Sequence, residues 1–214
     1  MQRSDPLEDK TMLTIYHAPG TRSMRVIWLC HELGLPIEIE TIPFTADFRA
    51  SPEWRQKSPT GKVPAMQDGA LVMFESGAMV DYILDRYGEG RLRPQPGSHA
   101  DAIYRQWCWF AEATLARPIG DVAQHTRVRA PEDRIPAVAD DARQRALAFL
   151  QVVDQSLAQT DYLLPEGFTA ADIMMGYSLM LGERLGVWDA HLTHLVAYYE
   201  RLKTRPGFQV AATA

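Results

Sequence analysis

The sequence predicts an α/β domain followed by an all-α domain. Strand and helix patterns alternate over the first part of the chain, a stretch dense in glycine and proline interrupts them, and only helical patterns follow. The chain has 214 residues, of which 46% are hydrophobic, so it can bury a core in one large domain or two small ones. The predicted boundaries are 12–88 for the α/β domain, 89–99 for the linker and 100–214 for the helical domain.

The composition argues against several classes of protein. The chain carries 27 acidic and 22 basic residues without a basic stripe, so no nucleic-acid surface is expected. No long uncharged apolar run is present, so we expect neither a transmembrane helix nor a membrane partner. Residues 1–11 are charged rather than apolar, which is not typical of a secretory signal, and we interpret them as a mobile extension. A cytoplasmic location is therefore expected.

The α/β domain begins with a strand, a helix and a second strand. LTIY (13–16) has the length and composition of a short strand. Apolar residues recur near helical spacing over 22–34, and Gly34 supplies a C-cap. Alternating isoleucine and glutamate over 37–40 predicts a half-buried strand. A helix that connects two strands in this way forms a right-handed crossover, so the two strands should be parallel.

A hairpin and a helix complete this domain. After a less periodic stretch at 43–60, two short apolar runs flank Asp68-Gly69, a dipeptide typical of a tight hairpin turn in which both central residues have positive φ. A helix is then predicted from Ser76 to Gly88. The order β-α-β, an irregular or helical segment, and β-β-α is the thioredoxin-like arrangement.

The second half predicts helices alone. Its first, long helical run contains Pro118, a position where a helix kinks or breaks. A later segment begins with Thr169 and Asp172 at capping-box spacing and is apolar on nearly every side, which predicts a buried central helix. The predicted helical segments are 100–126, 137–160, 169–186 and 190–208.

Neither the cysteines nor the histidines form a pattern typical of a metal or redox site. Cys30 and Cys108 lie far apart without a CxxC motif, so we predict ordinary packing positions for both. His191 and His194 lie one helical turn apart, but no third ligand accompanies them. We therefore expect no metal and no bound cofactor.

Four short motifs follow one another in a distinctive order: GKVPAM (61–66), ESGAMVDYI (75–83), FTAADI (168–173) and RPGF (205–208). Their order and spacing resemble the cytosolic glutathione transferases over about residues 12 to 210. The helix sequence RSMRVIWLCHELGLP is most similar to a bacterial and fungal branch of that family. The resemblance implies glutathione as co-substrate, a small hydrophobic electrophile as second substrate, and a homodimer.

Glutathione is a flexible tripeptide with charged ends and one thiol, so its site needs a backbone edge and polar groups for each end. Val63 can offer that edge, and the resemblance implies a cis bond between Val63 and Pro64. Ser76 opens a helix, so its hydroxyl and the free N–H groups beside it suit the γ-glutamyl carboxylate. Glu75 fits the ammonium group or the same hydrogen-bond network.

Two basic residues are candidates for the glycine carboxylate of glutathione. Lys62 occupies a position where relatives often contact that group, and Arg49 is the second candidate. Each assignment has a structural alternative. Ser76 can serve as a simple N-cap, Val-Pro can mark an edge strand, and the charges of Lys62, Arg49 and Glu75 can be solvated.

The thiolate is the reactive form of glutathione, so the site also needs a group that stabilises it. The loop YHAPGTRSMR (16–25) between the first strand and helix should face the hairpin edge and supply that group. We rank Thr21 first as the hydroxyl donor and Ser23 second, with Arg22 as an electrostatic helper. Alternatively, either hydroxyl only caps the helix. Tyr16 lies inside the strand, where a packing role is favoured.

The first helix of the second domain lines the electrophile pocket in relatives. The resemblance therefore makes Tyr104, Trp107, Phe110 and Ala111 pocket candidates, with core packing as the alternative. Two other functions stay open at this point. One is a glutathione-dependent disulfide or peroxide reductase or isomerase on the same fold, and the other is a non-catalytic protein that binds glutathione or an apolar ligand.

Overall fold

The computed structural model describes residues 12–214, so the predicted mobile extension 1–11 lies outside the described residues. A thioredoxin-like sheet of four strands with its helices precedes a helical C-terminal region. The strands are β1 (Leu13–His17), β2 (Ile37–Thr41), β3 (Ala65–Asp68) and β4 (Leu71–Phe74). The helices around them are α1 (Ser23–Leu33), α2 (Ala46–Ala50), α3 (Pro52–Lys57) and α4 (Ser76–Tyr87).

The sheet has the strand order β2-β1-β3-β4. β1 and β2 are parallel and are joined through α1, which confirms the predicted β-α-β unit. β3 runs antiparallel to both β1 and β4. Gly34 ends α1 with a φ of 68°, a left-handed conformation that glycine adopts without steric cost.

The hairpin turn lies one residue later than the sequence predicts. Asp68 pairs with Leu71 in the ladder, so the two turn residues are Gly69 and Ala70. Only Gly69 has positive φ, at 57°, as a turn with glycine first requires. Asp68 stays in the strand, where its carboxylate accepts hydrogen bonds from the hydroxyls of Tyr82 and Tyr87, both at 2.6 Å.

The less periodic stretch 43–60 contains the two short helices α2 and α3. Thr45 and Ser51 cap them by accepting hydrogen bonds from the backbone N–H groups three residues later, each at 3.2 Å. Trp54 of α3 is buried against the ring of Tyr16, with ring centroids 5.9 Å apart. Tyr16 therefore occupies the packing position that its place in β1 favours.

The helical region comprises α5 (His99–Trp109), α6 (Ala116–Ala123), α7 (Pro136–Ser156), α8 (Ala170–Arg184), α9 (Thr193–Lys203) and α10 (Pro206–Thr213). Pro118 does not break the first long run, because a π-helical turn at Phe110–Leu115 leads directly into α6. The wider π turn changes the bonding pattern just before a residue that has no N–H to donate. The predicted segment 190–208 is divided between α9 and α10.

α8 is the buried central helix that the sequence predicts. Thr169 and Asp172 form the expected capping box at its start. Gly176 of α8 lies directly against the indole of Trp28 in α1, where an added Cβ would lie 2.7 Å from the ring. This close approach packs α1 onto the helical region and fixes the position of the loop that precedes α1. Within residues 12–214, no helix is long and apolar enough to span a bilayer.

Candidate functional site

A cleft of about 120 Å³ lies where the start of α1, the segment before β3 and the start of α4 meet the helical region. All of the hairpin-side residues predicted for glutathione border it, namely Lys62, Val63, Pro64, Glu75 and Ser76. The remaining lining residues are Arg22, Thr60, Phe74 and Glu112. The register of the hairpin explains this grouping, because Ala65 pairs with Phe74 and so places 63–64 beside 75–76.

Val63 contributes a short stretch of backbone to the wall of this cleft. The peptide bond between Val63 and Pro64 is cis, as the family resemblance implies. Among residues 12–214, no backbone or side-chain group makes a hydrogen bond with the N–H or C=O of Val63. Since buried backbone groups rarely stay unpaired, this edge is suited to pairing with the backbone of a peptide ligand.

The start of α4 offers donors for an anion. Glu75 precedes the helix with a φ of 75°, which is uncommon for any residue but glycine and often occurs at functional sites. No side chain within residues 12–214 caps this helix, so its first N–H groups, beside the cleft-lining Glu75 and Ser76, have no capping partner there. The Ser76 hydroxyl accepts a hydrogen bond from Arg25 Nη1 at 3.3 Å, which leaves its own proton to donate to a ligand.

The two candidate cations for the glycine carboxylate occupy different places. Lys62 is exposed at the cleft, and no carboxylate within residues 12–214 forms an ion pair with its ammonium group. Its backbone is held by Ser58, whose hydroxyl donates to the Lys62 carbonyl at 2.8 Å. Arg49 does not border the cleft, because its guanidinium stacks on Phe44 with 4.8 Å to the ring centroid.

The three candidates for thiol activation also differ in position. Arg22 borders the cleft, whereas Thr21 and Ser23 do not appear in its wall. Ser23 is completely buried and Thr21 is partly exposed. The two hydroxyls lie 2.7 Å apart, and Ser23 Oγ also lies 2.7 Å from Nδ1 of the buried His17. A fully buried Ser23 cannot reach a ligand, so Thr21 is the better placed of the two hydroxyls.

An ion pair between a buried arginine and a partly exposed glutamate joins the cleft to the helical region. Arg25 is completely buried and donates hydrogen bonds to Glu112, Ser76 and Ser178. Glu112 also accepts a hydrogen bond from Arg22 Nε at 3.2 Å. Burial lowers the pKa of Arg25, and Glu112 opposes that change. Burial acts to raise the pKa of Glu112, but the charges and hydrogen bonds of the two arginines bring it below its ordinary value.

Sequence reasoning missed this pair. Glu112 is the single acid in the apolar run WCWFAEATLA, and Arg25 interrupts an otherwise apolar helix surface. Those two exceptions to the pattern were the available signals, since a charge at a buried position needs a partner. Thr60 and Phe74, which also border the cleft, carry no comparable signal.

A second cavity of about 510 Å³ lies between α4 and α5 and shares Glu75 and Glu112 with the cleft. Tyr104 is the one of the four electrophile-pocket candidates that borders it. Trp107 and Phe110 pack against each other at 5.3 Å between ring centroids, and Ala111 is completely buried. These three residues lie on the core-facing side of the helix, while Arg105, Cys108, Trp109 and Glu112 border the cavity.

Both cysteines occupy packing positions, as predicted. Cys30 is buried and Cys108 is partly buried, and both are free thiols. Burial raises the pKa of each thiol to about 12, so neither is a thiolate at neutral pH. His191 forms a contact of 2.7 Å with Asp189. In the part of the chain that the structure describes, no group of three or more potential ligands could hold a metal ion.

Comparison with known proteins gives a consistent result. Residues 11–85 match the family model described as the glutathione S-transferase N-terminal domain. Glutathione S-transferase 3 of Schizosaccharomyces pombe is 26% identical, covering 94% of this chain and 87% of the relative. Glutathione S-transferase GstB of Escherichia coli strain K12 is 25% identical, covering 88% of this chain and 91% of the relative.

Solved structures show the same architecture. A theta class glutathione S-transferase from Xanthomonas axonopodis pv. citri with glutathione bound has a TM-score of 0.82 and 28% identity, covering 94% of this chain and 97% of that one. A glutathione transferase from Phanerochaete chrysosporium with oxidized glutathione has a TM-score of 0.85 at 24% identity, covering 95% of both chains, and supports the fold. The chain therefore contains a glutathione S-transferase N-terminal domain at residues 11–85, and over most of its length it is similar to glutathione transferases.

Proposed function

We propose that the protein is a glutathione S-transferase that binds and ionises glutathione and conjugates it to a small hydrophobic electrophile. One observation carries the proposal: within residues 12–214, a free backbone edge, an uncapped helix start, an acid and an unpaired lysine meet in a single cleft. These are the groups that a charged tripeptide needs. The theta class relative from Xanthomonas, which has glutathione bound, supports the same ligand for this chain.

Each end of glutathione has a partner in this arrangement. The Val63 backbone pairs with the cysteinyl residue, and the Ser76 hydroxyl with the start of α4 holds the γ-glutamyl carboxylate. Glu75 accepts hydrogen bonds from the γ-glutamyl ammonium group. Lys62 pairs with the glycine carboxylate, and Arg49 is set aside for that role because it lies outside the cleft.

The loop before α1 is assigned to thiol activation. Lowering a thiol pKa from ~8.5 to ~6.5 requires roughly 2.7 kcal/mol of selective stabilisation of the anion. A hydrogen bond from Thr21 together with the positive end of α1 can provide it. Arg22 adds a nearby positive charge, although Glu112 partly neutralises it. Ser23 is excluded as the direct donor because it is completely buried.

The two parts of the chain have different roles in this reaction. Residues 12–88 hold and ionise glutathione, 89–99 connect, and 100–214 present the electrophile, so proximity supplies much of the rate. The 510 Å³ cavity adjoins the glutathione cleft and has a size suited to small ligands. Tyr104 is the candidate that can contact an electrophile there. We expect this conjugation to take place in the cytoplasm without a further cofactor.

We also propose that the protein forms a homodimer. Trp109 beside the second cavity is 70% exposed, and the edge strand β4 exposes Leu71, Val72 and Phe74. A second copy would cover these side chains. Trp109→Glu should shift the sedimentation coefficient from dimer to monomer, whereas Val152→Glu, at another exposed apolar position, should leave the dimer intact. A monomeric wild-type protein at micromolar concentration refutes this assembly.

Replacing Ser76 with alanine should weaken glutathione binding about tenfold, the usual loss for one hydrogen bond to a charged group. The dissociation constant is measured by titration calorimetry on the variant and the wild-type protein. Ser98→Ala is the matched control, since Ser98 caps α5 and does not border the cleft. Equal affinity in wild type and Ser76→Ala would remove the γ-glutamyl assignment.

Turnover of the wild-type protein distinguishes the activity from its alternatives. Aryl-halide conjugation that exceeds disulfide reduction supports the transferase, and the reverse ratio supports a reductase. Glutathione binding without any change in the pKa of the bound thiol indicates a non-catalytic binding protein. Absence of glutathione binding overturns the proposed function altogether.

A further inference from the structure

A chain of short hydrogen bonds runs inward from the loop before α1. Thr21 Oγ1 lies 2.7 Å from the carbonyl oxygen of Ala18 and 2.7 Å from Ser23 Oγ. Ser23 Oγ lies 2.7 Å from Nδ1 of His17, the last residue of β1. Ser23 and His17 are buried, and only Thr21 is partly exposed. The chain therefore has one end at the surface and one end in the interior.

The direction of the protons in this chain follows from the acceptor at its outer end. A carbonyl oxygen can only accept, so Thr21 donates to Ala18. Ser23 Oγ lies 3.5 Å from the same carbonyl oxygen, a weaker contact than its 2.7 Å to Thr21. Each hydroxyl has one proton, so Ser23 donates to Thr21 and accepts from His17 Nδ1–H. Burial lowers the pKa of His17 against the opposing effect of the Ala214 backbone, so the ring is neutral at pH 7.

We propose that His17 is a positioning residue that acts through Ser23 to keep the Thr21 hydroxyl oriented as a donor toward the sulfur of bound glutathione. With His17 donating to Ser23 and Ser23 donating to Thr21, the one proton that Thr21 carries points away from Ser23. In the free protein it bonds to Ala18, and in the complex it can bond to the thiolate instead. The inference rests on the proposed function, because it requires bound glutathione.

The opposite tautomer of His17 would remove this donor. If Nδ1 of His17 accepted a hydrogen bond from Ser23, Ser23 would in turn accept one from Thr21. The Thr21 proton would then point toward Ser23, and Thr21 would present only lone pairs to a ligand. Nε2 of His17 is buried and has no partner in good hydrogen-bond geometry among residues 12–214, although the ring lies near the Ala214 backbone. An unpaired buried polar atom is unfavourable, and an apolar side chain at this position would avoid that cost. The imidazole is thus better explained by the bond at Nδ1 than by packing.

The test compares variants that keep or remove the donor at this position. Asparagine places an amide N–H near the position of Nδ1, while phenylalanine fills the space without a donor. His17→Phe should raise the pKa of the bound glutathione thiol by about one unit and lower kcat about tenfold, with the KM for glutathione unchanged within twofold. His17→Asn should restore most of that loss. The thiol pKa is read from the ultraviolet absorbance of the thiolate during a pH titration.

A double-mutant cycle separates positioning from a structural role. In the Thr21→Ala background, His17→Phe should change neither kcat nor the thiol pKa further, because its effect passes through Thr21. His191→Phe, at an exposed histidine, is the matched control and should leave all values unchanged. Thermal unfolding confirms that each variant is folded at the assay temperature.

The outcomes overturn different statements. If the wild-type protein lowers the pKa of bound glutathione and His17→Phe does the same, the positioning role is wrong and the proposed function stands. Additive losses in the double variant also contradict the role. A wild-type protein that binds no glutathione overturns the proposed function, and this inference fails with it.

Discussion

Replacing Asp172 with alanine is expected to lower the free energy of unfolding by about 4 kcal/mol, the sum of a lost helix cap and two buried donors left unpaired. Asp172 is completely buried. Its carboxylate accepts hydrogen bonds from the backbone N–H groups of Leu163 and Thr169, at 3.0 and 2.8 Å, and from the Tyr198 hydroxyl at 2.9 Å. Water cannot replace the carboxylate there without opening the core.

Urea unfolding with linear extrapolation measures this loss. Ser98→Ala is the matched control, because Ser98 caps α5 through one hydrogen bond to the Asp101 N–H and is not fully buried. Its loss should be about 1 kcal/mol, the value typical of a cap alone. If the two variants lose equal stability, the bonds from Leu163 and Tyr198 contribute nothing and the expectation is wrong.

Replacing Glu112 with alanine should cost about 3 kcal/mol of stability, because it leaves the charge of Arg25 buried without a carboxylate. The low end of the range for broken buried pairs applies, since Glu112 borders the cleft and water can reach its place. The variant should also lose glutathione affinity. Arg25 donates a hydrogen bond to the Ser76 hydroxyl, and Glu112 accepts one from Arg22. Without Glu112, Arg22 loses this bond and Arg25 is no longer held in place beside Ser76.

Two controls identify the cause of this loss. Asp141→Asn removes a partner from the exposed pair with Arg145 and should change stability by less than about 0.5 kcal/mol. Removing both charges, as in Arg25→Met with Glu112→Met, should cost less than the two single losses added together. Additive losses would show that Arg25 and Glu112 do not stabilise each other.

The pair also predicts an acid sensitivity. The pKa of Glu112 is lowered in the folded protein, so the stabilisation is fully present above the ordinary pKa of glutamate. It is lost as the pH falls through the lowered pKa of the folded state. The urea midpoint of the wild-type protein should therefore fall more steeply with acid than that of Glu112→Gln.

Much of the candidate cleft could be predicted because its residues are close together in the chain. Lys62 and Val63 precede the hairpin, and Glu75 and Ser76 follow it, so strand pairing alone brings them side by side. The left-handed Gly34 and the capping box at Thr169 were equally accessible. Each depends on backbone conformation within a few residues, which local residue preferences encode.

The helical wall of the cleft could not be predicted in the same way. α5 and the π-helical turn after it are apolar on more than one side, so periodicity does not distinguish the core-facing stripe from the stripe that borders a cavity. Trp107 and Phe110 therefore appeared as suitable for a pocket as Cys108 and Trp109. The packing of α5 against α8 and the cavity between α5 and α4 decide between them.

The order of elements, the presence of a hairpin, and the grouping of Val63 with Ser76 were determined by the sequence alone, since each arises from residues joined by a short stretch of backbone. Tertiary structure alone decided the partner of Arg25, because Glu112 lies 87 residues away and reaches it only when α1 docks on the helical region. Tertiary structure also decided that Ser23 is buried while Thr21 is partly exposed, although one residue separates them. Burial depends on what the rest of the chain places over a residue, and no local pattern specifies that.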